Sequence, residues 1–263
     1  MRLLTYQSRI ELPAQDVFAW HTRPGALERL LPPWERARIV CKEGGLAPGS
    51  RVVLRTRLGP FPVTWEAVHQ EIKEGLLFVD RQARGPFAHW EHAHRFTPEG
   101  ANACLIEDRV SYRLPLGAVG HFLAGKAVRR RLRRMFRFRH DQLRNDLARH
   151  AAYKARGPQR IVVTGASGLI GSQLAAFLTS GGHEVIRLVR RQPDPASGEA
   201  YWDPTTGKID ASALEGADAV VHLAGESIAA RRWSAKVKDR ILRSRIDPTR
   251  LLSETLARLE RPP

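Results

Sequence analysis

The chain of 263 residues contains only two cysteines, Cys41 and Cys104, with no CxxC spacing. That argues against a disulfide scaffold and against the usual cysteine zinc and redox motifs, and it points to a reducing, cytoplasmic compartment. No apolar run approaches the ~18 residues of a membrane helix, so no membrane span is expected. The opening Met1-Arg2-Leu3-Leu4-Thr5-Tyr6 turns polar too early for a signal peptide. Lysine is scarce: seven of the 43 basic residues are Lys, so arginine carries most of a formal net charge of +16. Such a charge attracts nucleic acid, anionic membranes and anionic cofactors alike and does not choose among them.

The densest charge is Arg129-Arg130-Arg131-Leu132-Arg133-Arg134-Met135-Phe136-Arg137-Phe138-Arg139. Val128, Leu132 and Phe136 keep helical order through it, and no helix-turn-helix or zinc-finger spacing accompanies it. It reads as the solvated face of a helix, and nucleic acid is not expected as a partner.

Apolar residues make up 43% of the chain, enough for a real core, and the length suits two domains. Residues 1–113 read mostly as strands: 2–10, 36–42, 51–58, 63–72, 76–81, 86–97 and 102–113. Gly44-Gly45, Pro48-Gly49, Gly59-Pro60, Glu74-Gly75, Gly85-Pro86 and Pro98-Glu99-Gly100 punctuate them. A short helical stretch is expected over 14–31, and a long helix from Gly117 to about His150, with Val128, Leu132, Phe136, Leu143 and Leu147 at helical spacing. The pattern predicts an α+β domain whose long helix lies across a curved sheet and leaves a cavity between them.

Phe18-Ala19-Trp20-His21, Arg23-Pro24-Gly25-Ala26, Leu31-Pro32-Pro33-Trp34-Glu35, Gly85-Pro86-Phe87 and Trp90-Glu91-His92 resemble the SRPBCC (START-like, helix-grip) superfamily. The resemblance covers about 1–150 and implies a domain at 1–152 that binds a small apolar molecule. Strand alternation puts Trp90, His92 and His94 on one face. A hairpin centred on 98–101 sets His92 opposite Asp108, Ile106 opposite His94 and Cys104 opposite Phe96. Trp90, His92, His94, Asp108 and Tyr112 are the expected cavity residues. His92 and Asp108 read first as a structural pair, then as a group that orients a ligand. A metal site would need three converging ligands and a settled second shell, and no metal is expected.

Residues 153–159 read as a linker, ending the helix at Gly157-Pro158. Strand and helix then alternate over 160–263. The strand 160–164 leads into Gly165-Ala166-Ser167-Gly168-Leu169-Ile170-Gly171, a helix over 172–180 and a strand over 184–189. Strand, glycine turn and helix form the context in which a dinucleotide's pyrophosphate rests on a helix N-terminus. The GxxGxxG spacing resembles the extended short-chain dehydrogenase/reductases. Tyr201-Trp202-Asp203, His222-Leu223-Ala224-Gly225-Glu226, Arg231-Arg232-Trp233, Ser244-Arg245 and Thr249-Arg250-Leu251-Leu252 are similar to the atypical epimerase-family subgroup.

The expected cofactor residues are Gly165, Ser167, Gly168, Leu169, Ile170, Gly171, Arg190, Arg191, Leu223, Ala224, Gly225 and Arg245. The resemblance supplies Arg245 and sets Leu223–Gly225 against the adenosine side; Arg240 is a weaker candidate. NAD-selective sites end the second strand with an acidic residue on the ribose 2′-OH. Here Arg190-Arg191 stands there, and guanidinium suits a 2′-phosphate, so NADP(H) is expected over NAD(H).

The Tyr-x-x-x-Lys pair that such reductases use for proton transfer is not found: Tyr201 is followed four residues later by Thr205. Strands at 160–164, 184–189, 199–202 and 218–223 make the first half of a Rossmann sheet, so the segment 160–263 is expected to be a truncated, partial α/β Rossmann domain. Such a chain would hold the adenosine side of a cofactor without turning over substrate, and its open sheet edge would favour a homodimer. Two functions follow: an NADP(H)-binding epimerase/reductase-family protein with an apolar-ligand domain, or a non-catalytic sensor of an apolar ligand on a nucleotide-binding platform.

Overall fold

The computed structural model describes residues 1–229 and 232–263. They form two compact units, Met1–Ala151 and Ala152–Pro263.

In the first unit β1 (Arg2–Ile10) leads into α1 (Ala14–Thr22) and α2 (Ala26–Leu30), which separate at Arg23-Pro24-Gly25 instead of running on as one helix. Proline bars a continuous helix and Gly25, at φ 85°, turns the chain. Then follow β2 (Arg38–Glu43), β3 (Arg51–Leu58), β4 (Phe61–Lys73), β5 (Leu77–Arg84), β6 (His89–Pro98), β7 (Cys104–Arg113) and α3 (Gly117–Tyr153). The strands make one antiparallel sheet in the order β1-β7-β6-β5-β4-β3-β2.

Alternation along β6 and β7 is clean: Trp90, His92, His94 and Phe96 are buried on one strand, and Cys104, Ile106, Asp108, Val110 and Tyr112 on the other. α3 buries Leu132, Phe136, His140, Leu143, Asp146 and Leu147. Leu132 and Phe136 pack with Leu4, Trp90, Val110 and Tyr112, while Leu143 and Leu147 pack with Ile10, Phe18, Phe96 and Ile106. This is the helix-grip arrangement of a sheet clasping a long helix.

Two sequence expectations need correction here. The β6–β7 hairpin pairs His94 with Asp108, His92 with Val110 and Phe96 with Ile106, two residues from the expected register. The turn is longer than its Pro-Glu-Gly signal implies: the Glu99 N–H donates to the Ala103 carbonyl (2.8 Å) around Gly100. A slip of two preserves which side chains face inward. The expected linker also begins inside structure, for α3 runs through Tyr153 and a 3₁₀ turn follows over Lys154–Arg156 before Gly157.

Within the basic run, Arg129, Arg130, Arg133 and Arg137 are exposed. Arg131 pairs with Glu35 (Nε–Oε1 3.0 Å), Arg134 lies over the Trp34 ring, and Arg139 donates to the Leu30 carbonyl. Several of these arginines therefore hold the turn near residues 30–35 against the helix.

The second unit contains β8 (Arg160–Thr164), α4 (Leu169–Ser180), β9 (Glu184–Val189), β10 (Glu199–Asp203), β11 (Lys208–Ile209), β12 (Ala219–His222) and α5 (Ala235–Leu256). Its sheet order is β11-β10-β9-β8-β12, parallel except for β11. Strand order reverses beside β8, with β9 on one flank and β12 on the other, and ligands of open α/β sheets bind at the carboxyl ends of strands at such a point. Among the described residues, no helix is long and apolar enough to cross a membrane.

Candidate functional site

The carboxyl end of β8 carries the glycine turn. Gly165 adopts φ 67°, and a Cβ there would stand 2.7 Å from the carbonyl carbon and oxygen of Leu223. A Cβ on Gly171 would stand 2.2 Å from the Gly165 carbonyl oxygen. These two glycines bring β8, α4 and the strand end after β12 to backbone contact. Gly168 caps α4 with no side-chain hydrogen bond. The first-turn N–H groups and the positive end of the helix dipole thus face outward beside exposed Ser167, Leu169 and Ile170.

Sequence reasoning missed the residue that fastens the two strand ends. The fully buried Thr164 hydroxyl accepts from the Leu223 and Ala224 N–H groups (3.1 Å each) and meets His222 Nδ1 at 2.7 Å. A polar, β-branched end to an otherwise apolar strand was the available signal.

Gly225 lies against the Arg245 guanidinium, which donates to the Glu226 carbonyl (3.3 Å) and the Ile241 carbonyl (3.0 Å). Arg240 pairs instead with the Glu226 carboxylate at 3.2 Å. Arg231 lies outside the described residues.

The two arginines after β9 differ. Arg190 is exposed, whereas Arg191 donates to Glu199 Oε1 at 2.6 Å. Glu199 Oε2 accepts the Asp194 N–H (3.1 Å). Burial pushes the Glu199 carboxyl upward, but the Asp194 N–H and Arg191 outweigh it and hold it below its ordinary value. Arg191 is therefore already committed to a carboxylate, a partner that strand periodicity does not disclose.

The five expected cavity residues are packed. Trp90, His92, His94, Asp108 and Tyr112 are all buried at 8% exposure or less. His92, His94 and Asp108 are joined by two residues the sequence reading did not select, Asp80 on β5 and His140 on α3. Asp108 Oδ1 accepts from His92 Nε2 (3.1 Å), and Oδ2 accepts from His140 Nε2 (2.9 Å). His94 Nδ1 stands 2.7 Å from Asp108 Oδ1 but out of line for a hydrogen bond. Asp80 Oδ2 lies 3.4 Å from His92 Nδ1 and 3.7 Å from His94 Nε2. Ser8 Oγ meets His140 Nδ1 at 2.6 Å.

Burial alone pushes the Asp80 and Asp108 carboxyls up, but the surrounding imidazoles overcome it and hold both well below the carboxylate range. Burial likewise lowers His92, yet the hydrogen bond to Asp108 and the nearby Asp80 carboxylate raise it to about 9. Neighbouring His21 has no such partner, and burial lowers it to about 4. His140 sits on the apolar stripe of α3, between Phe136 and Leu143, and a histidine there was the sequence signal for a buried polar group. Asp80, His92 and His94 each bring a donor atom within 4.8 Å of the others.

Elsewhere, a groove of about 500 Å³ lies at the β5–β6 turn, with Arg81, Arg84, Phe87 and Trp90 among its walls. Of the expected cavity residues, only Trp90 lines it.

Comparison with known proteins assigns both parts. Residues 10–136 match the family described as polyketide cyclase/dehydrase and lipid transport, and residues 161–261 match the NAD dependent epimerase/dehydratase family. An epimerase family protein of Mycobacterium bovis is 47% identical over 97 residues, 37% of this chain and 32% of that protein. One of Homo sapiens is 39% identical over 106 residues, 40% of this chain and 34% of that protein. The solved nucleoside-diphosphate sugar epimerase from Corynebacterium glutamicum is 34% identical with a TM-score of 0.76, covering 98% of this chain and 52% of that one. The chain thus spans about a third of the length of these curated relatives and about half of the solved structure. On these matches, the chain carries a polyketide cyclase/dehydrase-type domain of the SRPBCC superfamily followed by a segment of the NAD-dependent epimerase/dehydratase family.

Proposed function

We propose that this is an NADP(H)-binding protein of the epimerase/reductase type whose first domain takes up a small apolar molecule. The observation that carries the reading is the glycine cradle at the switch point. Gly165 and Gly171 have no room for a Cβ, and Gly168 leaves the N–H groups of α4 uncapped by any side chain. A pyrophosphate fits that chemistry, with the helix dipole favouring its charge. In this reading Leu223, Ala224 and Gly225 flank the adenosine side, and Arg245 supports that wall through the Glu226 carbonyl. The bound nucleotide would supply a hydride donor or acceptor.

NADP(H) is favoured over NAD(H) because the strand β9 ends in Arg190 and Arg191 rather than in a carboxylate. Of the two, Arg190 is the better candidate to meet a 2′-phosphate, because Arg191 steadies the turn through Glu199. For the first domain, the family match to cyclases and lipid transport supports an apolar ligand. The groove walled by Phe87, Ala88 and Trp90, with Arg81 and Arg84 beside them, offers it a surface.

The test is a binding titration of the full chain with NADPH and NADH, repeated on Arg190→Ala/Arg191→Ala. Tighter binding of NADPH, with the preference lost in the double variant, supports the reading. Equal affinity for the two nucleotides removes the 2′-phosphate assignment, and binding of neither removes the cofactor site.

A further inference from the structure

We propose that Asp80, His92 and His94 form a binding site for a first-row divalent cation of the zinc class, with Asp108 and His140 as its supporting shell. The donor atoms are Asp80 Oδ2, His92 Nδ1 and His94 Nε2, which lie mutually within 4.8 Å in the interior of the first unit. Neither family match assigns a metal to this domain, and the site is separate from the glycine cradle.

The spacing carries the argument. The Asp80 oxygen stands 3.4 Å from His92 Nδ1 and 3.7 Å from His94 Nε2. These separations are long for charge-assisted hydrogen bonds, which close to about 2.7–2.9 Å. They are close to the edge of a tetrahedron around zinc, roughly 3.3–3.5 Å for bonds of about 2.0–2.1 Å. The Asp80–His92 separation thus matches a ligand-to-ligand edge, and the Asp80–His94 separation lies slightly beyond it.

The ring orientations agree. Each imidazole turns one nitrogen toward Asp80 and the other toward Asp108 Oδ1, His92 through Nε2 at 3.1 Å and His94 through Nδ1 at 2.7 Å. A histidine that ligates a metal characteristically presents its far nitrogen to a carboxylate, which fixes the tautomer and the ring plane. His94 Nδ1 stands beside Asp108 Oδ1 without a well-aligned hydrogen bond. Asp108 is fixed in turn by His140 through its other oxygen, and His140 by Ser8. The chain of contacts thus runs from Asp108 through His140 to the Ser8 hydroxyl.

The elements that supply the donors are rigid. β5 and β6 are paired from Leu77–Arg95 to Arg81–Glu91, with Asp80 directly opposite His92. Phe78 stacks on His94 at 4.0 Å between ring centroids, and Phe136 closes over His92 at 5.1 Å. Two imidazoles and one carboxylate suit zinc, cobalt or iron over magnesium or calcium, which prefer all-oxygen shells. Three protein donors leave a fourth position for water or for an oxygen of a bound molecule.

The test uses the full chain, stripped with chelator and titrated with Zn²⁺ alone and with Co²⁺ as a spectroscopic probe. One equivalent of either ion is expected at micromolar affinity or better, and Co²⁺ should give the intense visible bands of a four-coordinate nitrogen–oxygen site. Asp80→Asn and His94→Gln should each lose that spectrum, and Asp108→Asn should weaken binding about 10–100-fold. Circular dichroism identifies any variant that fails to fold, and the wild-type titration stands independently of all of them. No uptake by the wild-type chain overturns the site. So does uptake that persists unchanged in folded Asp80→Asn and His94→Gln, which would place the ion on surface histidines.

Discussion

A Cβ on Gly171 would stand 2.2 Å from the carbonyl oxygen of Gly165, closer than any packed interior tolerates. The relationship ranks the three glycines of the turn. Gly171→Ala pushes α4 off β8, and Gly165→Ala combines a clash at Leu223 with a left-handed backbone. Gly171→Ala should cost about 1–3 kcal/mol of stability in the second unit from overpacking, and Gly165→Ala about 2–5 kcal/mol with αL strain added. Gly168 has ordinary φ, and its added Cβ would lie 3.2 Å from the Gly165 oxygen. Gly168→Ala should fold and lose nucleotide affinity instead, by crowding the phosphate. Thermal unfolding alongside NADPH titration checks the order; a Gly171→Ala protein as stable as wild type would refute it.

Arg190 and Arg191 are expected to separate into two phenotypes. Removing Arg190 deletes a charge-assisted contact to a 2′-phosphate, so NADPH affinity should fall roughly ten- to a hundredfold while NADH affinity stays put. Removing Arg191 leaves the buried Glu199 carboxylate with the Asp194 N–H and the more distant Arg187 (3.7 Å). Arg191→Ala should therefore lower stability and weaken both nucleotides together. Paired titrations of the single variants decide this, and a selective NADPH loss in Arg191→Ala alone would reverse the assignment.

How much of this was legible in the sequence depended on the range of the contact. The Rossmann segment was readable because its signals are local: the glycine turn, two β-branched strands and the helix between them adjoin in sequence. The polar cluster of the first domain was only half readable. Alternation placed His92, His94 and Asp108 on one face, and a register slip of two residues did not change that. Asp80 stayed hidden because it reaches the cluster through the β5–β6 pairing, and β4 and β5 are joined by bulged register shifts that defeat counting. His140 was the reverse case, a polar residue in plain view on the apolar stripe of α3, whose position demanded a buried partner. The commitment of Arg191 to Glu199 was equally out of reach, since Arg191 lies in the loop past β9 and reaches back to the first residue of β10, which pairs with Arg187.

Cys104 offers a clean report on the first unit. It is fully buried, and burial pushes its thiol up to about 11, so thiolate is scarce at neutral pH. Cys41 is only half-buried. In a Cys41→Ser background, a disulfide-exchange reagent at pH 8 should leave the folded chain unlabelled and modify one thiol on denaturation. Rapid labelling of the native protein would mean that the β6–β7 hairpin opens readily.

That probe measures the buried ion pair between Arg29 on α2 and Asp146 on α3. The guanidinium donates through Nε and Nη2 to the two carboxylate oxygens at 2.7 and 2.8 Å, and Gln142 donates to the same carboxylate at 2.7 Å. Asp146 is only 3% exposed, so truncating it strands a charge that water cannot fully reach. Asp146→Ala should cost about 3–5 kcal/mol, seen as a lower urea midpoint for Cys104 exposure. Replacing the pair by Arg29→Met with Asp146→Leu should restore most of that loss, because desolvating both charges offsets much of their attraction. If the double variant is as unstable as Asp146→Ala alone, the pair contributes net attraction beyond its desolvation, and α2 is held on α3 by charge rather than by fit.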